Sequence, residues 1–430
     1  MKTDIVIVGT GVAGLFCALN LPRNKKITMV TKAEADRSDS FLAQGGICVL
    51  KDDRDYESYL EDTMRAGHYE NNERSVEIMI RSSREIIDDL VGYGVEFEKQ
   101  GGQFCYTKEG AHTIPRILFH KDITGKEITS KLLERVRELD NVEIIENFTM
   151  ADIIEKDNEC FGIAGIDSEG NTKYIEADFT VLASGGIGGL FRHSTNYRHL
   201  TGDALAICIK HGIRLENIDY IQIHPTTLYS VKKGRRFLIS ESVRGEGAVL
   251  FNAKMERFVD ELLPRDVVTE AILKQMKEDN KPYVWLSMKP IPPEKIKSHF
   301  PNIYNKCLEE GYDVTKECIP VVPSQHYFMG GIWVDEHSKT SMDRLYAAGE
   351  TSCNGVHGKN RLASNSLLES LVFAKRAAKQ ISNEKPEIRD YNVENLCEKN
   401  YINYEEEYKQ LILKEIERMK KEHEQHNDEA

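Results

Sequence analysis

The hydrophobic pattern at the start of the chain predicts a buried strand that turns directly into a helix. Residues 5–8 form a continuous β-branched run, which is typical of a strand buried on both faces. The turn Gly9-Thr10-Gly11-Val12-Ala13-Gly14 follows, and an apolar stretch then continues to Leu21. A second apolar run, Ile27–Val30, has the length of a further strand. The chain is therefore predicted to begin as an α/β unit.

The spacing of apolar residues then predicts helices followed by short strands. Charged amphipathic helices are predicted around Tyr56–Ala66 and over residues 75–90. Residues 142–182 alternate like short strands, with turn signals at Asp157-Asn158 and at Glu169-Gly170-Asn171. The last of these strands runs into a glycine-rich segment, which indicates close approach of the backbone to a ligand, or else a plain loop.

From about residue 220 to residue 328 the pattern changes. Prolines cluster, aromatic residues become more frequent, and the alternation of strands and helices disappears. We interpret this stretch as a separate domain inserted into the first. The alternation returns with a strand at residues 345–348 and a helix opened by Ser364-Asn365-Ser366, whose apolar face suits the underside of a nucleotide-binding sheet.

Beyond residue 385 the chain becomes highly charged, and apolar residues from Tyr404 to Met419 recur at helical spacing. This spacing predicts a terminal amphipathic helix, followed by a frayed tail from residue 422. The predicted domains are a nucleotide-binding domain over residues 1–219 and 330–385, the inserted domain over 220–329, and a helical charged tail over 386–430.

Composition narrows the classes of function. The 430-residue chain has a net charge of -13, which argues against nucleic-acid binding because phosphate contacts require a basic surface. No apolar run is long enough to span a bilayer, and Met1 leads almost directly into the first strand, so we expect neither a membrane association nor a signal peptide. The nine cysteines form no C-x-x-C pair and are interpreted as reduced residues of a cytoplasmic protein.

The glycine-rich turn has the chemistry of a dinucleotide site. One glycine makes the tight turn, the second lets the backbone approach a pyrophosphate, and the third lets the helix pack on the sheet. The second strand leads to Lys32 instead of the usual acid, so this lysine either meets phosphate or ribose oxygens or is solvated. The small, polar residues 38–46 predict a loop that brings backbone N–H groups close to a ligand.

Histidines and arginines beside glycine or proline mark a candidate anion site. His224 precedes a proline, Arg265 follows one, His326 lies just before a glycine pair, and Arg361 follows Gly-Lys-Asn. Arginine binds a carboxylate through two parallel hydrogen bonds, and histidine adds a donor whose charge is adjustable near neutral pH. Together these residues are what an anion of the size of a dicarboxylate requires.

Each of these residues also has a structural alternative. The histidines could sit in capped turns, and Glu109 could be a solvated loop carboxylate. Arg265 could pair with Asp266, and Arg361 could pair with Glu369. These alternatives remain open at the level of the sequence.

Six motifs occur in a fixed order along the chain: G-T-G-V-A-G from residue 9, A-Q-G-G-I from 43, H-P-T from 224, L-P-R-D from 263, H-Y-F-M-G-G from 326 and N-R-L-A-S-N-S-L-L-E from 360. Their combination resembles the succinate dehydrogenase/fumarate reductase flavoprotein family over about residues 4–380. The resemblance implies an α/β fold in which a Rossmann-like FAD-binding domain carries an inserted α+β capping domain and is followed by a short helical C-terminal tail.

The resemblance also implies residue roles. FAD is expected to be non-covalent, because Asp39 stands where membrane-complex relatives carry the flavin-linking histidine. Arg265 is implied as proton donor or acceptor at the reacting carbons, and His224 and Glu109 complete the predicted catalytic set. Thr226, His326 and Arg361 are implied to bind substrate carboxylates. The predicted cofactor-binding residues are Gly9, Thr10, Gly11, Val12, Ala13, Gly14, Lys32, Ser40, Phe41, Leu42, Ala43, Gln44, Gly45, Gly46, Asp203, Glu350, Ser366 and Leu367.

Glu109-Gly110-Ala111-His112 resembles the branch of the family that acts on L-aspartate, in which an acid meets the substrate ammonium group. The implied reaction is FAD-dependent oxidation of L-aspartate to iminoaspartate by hydride transfer from C2 to flavin N5, with oxygen or fumarate as electron acceptor. This is the first step of NAD biosynthesis, and quinolinate synthase is the implied consumer of the product. The alternatives are a fumarate reductase or succinate dehydrogenase flavoprotein subunit and a non-catalytic flavin-binding module.

Three features depart from the family pattern. Ala111 replaces a usual glycine, and Lys359 replaces a usual small residue. Lys359 is expected either to point to solvent or to add positive charge near the carboxylate site. The longer members of the family continue into a helical domain that this sequence lacks, which leaves oligomeric contacts open.

Overall fold

The computed structural model describes residues 1–385, 401 and 403–428. The strands, in chain order, are β1 Lys2–Val8, β2 Ile27–Val30, β3 Ile47–Cys48, β4 Lys99–Gln100, β5 Gln103–Phe104, β6 Ile117–Leu118, β7 Val142–Ile145, β8 Thr149–Lys156, β9 Glu159–Ile166, β10 Thr172–Leu182, β11 Leu215–Glu216, β12 Ile221–Leu228, β13 Val249–Phe251, β14 Val284–Ser287, β15 Ile319–Phe328, β16 Gly331–Trp333, β17 Leu345–Ala347 and β18 Ser352–Cys353. The helices, in chain order, are α1 Val12–Asn20, α2 Asp39–Leu42, α3 Tyr56–Ala66, α4 Glu73–Gly92, α5 Thr124–Arg137, α6 Asp203–Lys210, α7 Glu241–Gly245, α8 Arg265–Asp279, α9 Pro293–His299, α10 Pro301–Glu309, α11 Asn365–Asn383 and α12 Tyr404–Asp428.

The first strand lies inside a mixed sheet, as its β-branched run predicts. The sheet runs in the order β7-β2-β1-β10-β9-β8, and β17 pairs with the end of β10. β1 is parallel to both β2 and β10. Ile5 and Ile7 share a core with α1, α4, α5 and α11, whereas Val6 and Val8 share a different core with α6 and α12. Both faces of β1 are therefore covered, which explains why the run has no polar position.

A second, antiparallel sheet is formed within residues 221–328. It runs in the order β12-β15-β14-β13 and packs with α8, α9 and α10 around an apolar core of its own. That core includes Leu228, Ile272 and Ile319 and takes its buried residues from this stretch alone. This arrangement fits the inserted capping domain predicted for residues 220–329, which is called the capping unit below.

Two predictions of local structure are wrong. Residues 38–46 are not entirely a loop, because residues Asp39–Leu42 form one helical turn. This turn packs against the start of α5, where a Cβ on Gly125 would lie 2.0 Å from the Ser40 carbonyl oxygen. The predicted fraying from residue 422 is also wrong for the described part of the tail, since α12 continues to Asp428, whereas residues 429–430 lie outside the described residues. His423 Nδ1 lies 2.9 Å from Asp219 Oδ2 and fixes this end of the helix.

Candidate functional site

A cleft opens where β1 and β2 end, between the mixed sheet and the capping unit. The sheet side supplies the glycine-rich turn, residues 38–40 and 42–46, and the start of α11. The capping unit supplies His224, Glu241, Arg265 and His326. The topology thus brings the predicted cofactor residues and the predicted substrate residues into one cavity.

The three motif glycines in the first turn have different physical roles. Gly9 has φ +113°, and a Cβ there would lie 2.1 Å from the Ala183 carbonyl oxygen. A Cβ on Gly14 would lie 2.1 Å from the Gly9 carbonyl oxygen, so both glycines are required by the fold. A Cβ on Gly11 would meet nothing nearer than Ser40 Oγ at 3.2 Å. At the start of α1 the Val12 N–H donates to Ser40 Oγ, and the N-cap residue Gly11 supplies no side-chain cap. The space beside Gly11 therefore fits the pyrophosphate of a dinucleotide.

Lys32 is not simply solvated. Its Nζ lies 2.8 Å from Asp203 Oδ2 and 2.9 Å from Thr201 Oγ1. The sequence predicts both Lys32 and Asp203 as cofactor-binding residues. Their ion pair puts both residues at the same part of the cleft.

Two carboxyl groups in the cleft have pKa values close to neutral pH. Burial raises the pKa of Asp39 to about 7 and the pKa of Glu350 to about 8, and the charge of Asp39 contributes to the second shift. Asp39 Oδ1 accepts a hydrogen bond from the Tyr197 N–H, and Glu350 Oε1 accepts one from the Phe328 N–H. At pH 7 Glu350 is therefore mainly protonated and can donate a hydrogen bond to a bound cofactor.

The four predicted anion-binding residues come together on one side of the cleft. The rings of His224 and His326 lie edge to face with centroids 5.1 Å apart. Arg265 donates from Nη1 to Gln222 Oε1 at 2.8 Å. The Arg361 guanidinium lies over the Tyr327 ring, 4.4 Å from its centroid. The side chains thus form a preorganised cluster of hydrogen-bond donors.

Two donors of this cluster have no partner within the described part of the chain: His224 Nε2 and Arg361 Nε. An unpaired buried donor costs about 1–3 kcal/mol, which a ligand oxygen would relieve. Burial lowers the pKa of both His224 and His326 well below 6.5, and the charge of Arg265 lowers it further. The histidines are therefore neutral donors, and the positive charge of the site resides on the arginines.

Arg265 does not pair with Asp266, and Arg361 does not pair with Glu369, so these two structural alternatives are wrong. Asp266 contacts His68 Nε2 and accepts a hydrogen bond from the Asn360 amide. Glu369 accepts a hydrogen bond from the Asn354 amide. Lys359 is exposed, and its Nζ lies 3.5 Å from Glu70 Oε1. It therefore faces solvent and does not add charge to the cleft.

Glu109 is not a solvated loop residue, because only 3% of it is exposed and it lines the cleft. Ser364 Oγ donates to its Oε2 at 2.6 Å, and Ser242 Oγ donates to its Oε1 at 2.7 Å. Burial raises the pKa of Glu109, and the nearby charge of Glu241 raises it further. Glu109 is thus a buried acid placed beside the anion-binding cluster.

Three predicted site residues do not line the cleft. Gly14 lies below the first turn against Gly9, where it serves helix packing. The Thr226 hydroxyl donates to the Ile239 carbonyl, and the Thr226 N–H donates to His224 Nδ1. Thr226 therefore orients the His224 ring and does not itself face the cleft. Phe41 is not part of the cleft lining, although its neighbours Ser40 and Leu42 are, which fits a helical turn whose successive side chains take different directions.

The sequence reasoning missed several residues of the site. Glu241 Oε2 lies 2.5 Å from Arg265 Nε and 3.4 Å from Arg244 Nη2. Gln222 bonds to Arg265 and also donates to the Arg361 carbonyl. Glu241 and Arg244 lie just before Gly245 and Gly247. Charged residues beside glycine are the pattern that marked the other candidate segments, so the sequence did contain a signal for these two residues.

The model of an FAD binding domain matches residues 4–367 of this chain. L-aspartate oxidase of Clostridium perfringens is 52% identical over 380 residues, covering 88% of this chain and 86% of the relative. The Clostridium acetobutylicum enzyme of the same name is 50% identical, covering 89% and 88%. The chain belongs to the L-aspartate oxidase family. It is an FAD-dependent oxidoreductase of the succinate dehydrogenase/fumarate reductase flavoprotein family.

A solved structure of a variant of E. coli quinol fumarate reductase superimposes with a TM-score of 0.84 at 29% identity, covering 89% of this chain and 70% of that one. The α/β fold predicted from the sequence is thereby confirmed. The L-aspartate oxidase family thus shares its architecture with a reductase of a four-carbon dicarboxylate. Within the described residues, none of the helices has the length and apolar character needed to cross a membrane.

Proposed function

We propose that this chain uses FAD to oxidise L-aspartate to iminoaspartate, with fumarate or oxygen as electron acceptor. One observation carries the proposal: the cluster of arginine and histidine donors and the buried carboxylate of Glu109 line the same cleft. L-Aspartate has two carboxylates for the donors and an ammonium group for Glu109. Succinate has no group that could use Glu109.

The proposed cofactor site rests on the glycine-rich turn, where the space beside Gly11 fits a pyrophosphate. The residues proposed to hold the ADP half are the turn at Gly9–Gly14 and Lys32. The residues proposed to line the flavin half are Ser40, residues 42–46, Glu350, Ser366 and Leu367. When bound, FAD supplies the hydride acceptor. The N-terminal end of α11 carries a partial positive charge, which suits the negative charge of a reduced flavin.

The substrate carboxylates are proposed to bind to the unpartnered donors. His224 Nε2 and Arg361 Nε lack protein partners in the part of the chain that the structure describes, and His326 is fixed through its Nδ1 contact of 2.7 Å to Thr195 Oγ1. Fixing both carboxylates holds the substrate C2–H in a single orientation, which removes rotational freedom before the reaction. Glu109 then accepts hydrogen bonds from the ammonium group and fixes the third substituent of C2. The same carboxylate is placed to take the proton that the ammonium group must release when the hydride leaves C2.

Arg265 is proposed to give or take a proton at the reacting carbons when fumarate is the ligand. Its Nε bonds to Glu241, and Glu241 also pairs with Arg244. This line of charged side chains provides a path by which a proton returns to Arg265. Since iminoaspartate is unstable, we also propose that it is consumed promptly by quinolinate synthase, within a cytoplasmic route to NAD.

A fumarate reductase subunit is the second candidate, favoured by the match to E. coli quinol fumarate reductase. Anaerobic mixing of the FAD-loaded protein with L-aspartate, followed by fumarate, separates the candidates. We expect aspartate to bleach the flavin absorbance and fumarate to restore it. If aspartate fails to bleach the flavin while fumarate oxidises chemically reduced flavin, the protein is a fumarate reductase. If neither ligand acts, it is a flavin-binding module.

A further inference from the structure

Glu109 is held by two hydroxyl groups that come from opposite walls of the cleft. Ser364 stands immediately before α11 on the sheet side, whereas Ser242 lies in α7 of the capping unit, 133 residues from Glu109 in sequence. Glu109, Ser242 and Ser364 are all buried. The orientation of the carboxylate therefore depends on both walls being in place.

The two buried acids on this side of the cleft differ in their partners. Glu241 pairs with Arg265 and Arg244. Glu109 forms no ion pair with a lysine, arginine or histidine of the described residues, and its side-chain hydrogen bonds come from hydroxyls. Its carboxyl oxygens therefore have no counter-ion among these residues and remain available to a cationic group of a ligand, since hydroxyls can orient a carboxylate without neutralising it.

Ser242 is itself fixed before it reaches Glu109. Ser240 Oγ donates to Ser242 Oγ at 3.2 Å and accepts from the Ser242 N–H at 3.3 Å, as the cap of α7. With Ser240 donating to it, the Ser242 hydroxyl directs its own proton to Glu109. Consecutive hydrogen bonds of this kind strengthen one another.

The loop around Glu109 also contacts the capping unit through its backbone. The Ala111 N–H donates to the Leu262 carbonyl at 3.1 Å. A Cβ on Gly110 would lie 2.5 Å from Glu241 Oε1, so the loop and α7 are in close contact. A shift of the capping unit would move Ser242 away from Glu109 and leave the carboxylate with Ser364 alone.

We propose that Ser242 is a positioning residue for amine specificity, whose hydroxyl aims Glu109 at the substrate ammonium while the capping unit is seated on the cleft. The inference rests on the proposed function, because it assigns Ser242 to the amine subsite of that reaction. Ligands with an ammonium group depend on Ser242 in this arrangement. Dicarboxylates without one do not.

The test compares Ser242→Ala, Ser242→Thr and the control Ser287→Ala, which removes a buried hydroxyl of the capping unit that does not contact Glu109. Three quantities are measured on the FAD-loaded proteins. They are kcat/KM for flavin reduction by L-aspartate as a function of pH, the rate of oxidation of reduced flavin by fumarate, and the Kd of succinate from the change in flavin absorbance.

We expect Ser242→Ala to lower kcat/KM for aspartate about tenfold, as the loss of a hydrogen bond to a charged group does. The acidic limb of its pH profile should move to higher pH, because the Ser242 hydroxyl lowers the pKa of Glu109 and its removal lets that pKa rise. Oxidation of reduced flavin by fumarate and binding of succinate should stay within about twofold of wild type. Ser242→Thr, which keeps the hydroxyl, should restore aspartate oxidation.

Two results would overturn the inference. One is an unchanged kcat/KM and an unmoved acidic limb in Ser242→Ala. The other is an equal loss for aspartate, fumarate and succinate, which would mean a general distortion of the cleft. Failure of the proposed function is a separate result, since the wild-type flavin would then not be reduced by aspartate at all.

Discussion

Arg265 Nε lies 2.5 Å from Glu241 Oε2, and both side chains are buried at the cleft. Glu241 is the anion that balances this guanidinium and the neighbouring Arg244. The charges of the two arginines lower the pKa of Glu241 despite its burial. Glu241 is therefore ionised at neutral pH, and the arrangement of the anion site depends on it.

Replacing Glu241 with Gln should destabilise the protein. The substitution leaves two buried guanidinium groups without their counter-ion, and breaking a buried pair in this way costs about 3–5 kcal/mol. Urea unfolding of the FAD-loaded protein at pH 7 measures the difference. Glu77→Gln, which removes a half-buried surface partner of Arg74 and Arg81, is the control and should leave the unfolding curve nearly unchanged. Equal curves for Glu241→Gln and wild type would contradict the prediction.

Replacing Glu109 with Gln should separate the two substrates. An amide cannot offer a negative charge to the ammonium group, so kcat/KM for aspartate should fall by about 10–100-fold, the range for a hydrogen bond between charged groups. Oxidation of reduced flavin by fumarate should change by no more than about twofold. Glu96→Gln, at an exposed position, is the matched control. Equal losses with both substrates would remove the proposed role of Glu109.

Acid should destabilise the fold through His112. Burial and the charge of Arg116 lower the pKa of His112 from 6.5 to about 4. Between these values the unfolded chain takes up a proton that the folded protein excludes, so stability falls as pH decreases from 6.5 towards 4. The slope is up to about 1.4 kcal/mol per pH unit.

The measurement compares the free energy of unfolding of wild type and His112→Gln at several pH values in this window. The variant lacks the titrating ring, so the difference between the two proteins should shrink as the pH falls. A constant difference across the window would show that His112 does not exclude the proton.

Replacing Gly11 with Ala should weaken FAD binding without unfolding the protein. The methyl group meets no backbone atom within 4 Å, but it occupies the space assigned to the pyrophosphate. We expect the Kd of FAD, from titration of the apoprotein followed by flavin fluorescence, to rise at least about tenfold, or ~1.4 kcal/mol. Gly92→Ala, an open position at the end of α4, is the control. An unchanged Kd would place the pyrophosphate elsewhere.

The sequence alone predicted the parts of the fold that depend on short-range physics. The β-branched run of β1, the extent of β2 and the bounds of α3 follow from residue spacing, and the structure has β2 and α3 where they were predicted. The motifs also singled out His224, Arg265, His326 and Arg361, and the structure places all four at the cleft. Such signals are local because backbone geometry and the period of burial act over only a few residues.

Only the tertiary structure decided which side chains meet. Lys32 pairs with Asp203 across 171 residues, and Glu109 bonds to Ser364 across 255. The partners of Asp266 and Glu369 likewise turned out not to be the nearby arginines. Such contacts depend on how the capping unit packs on the sheet, and no local pattern encodes that packing. The sequence therefore determined the elements and the chemistry available, whereas the packing of two cores determined the partners and charge states of the site.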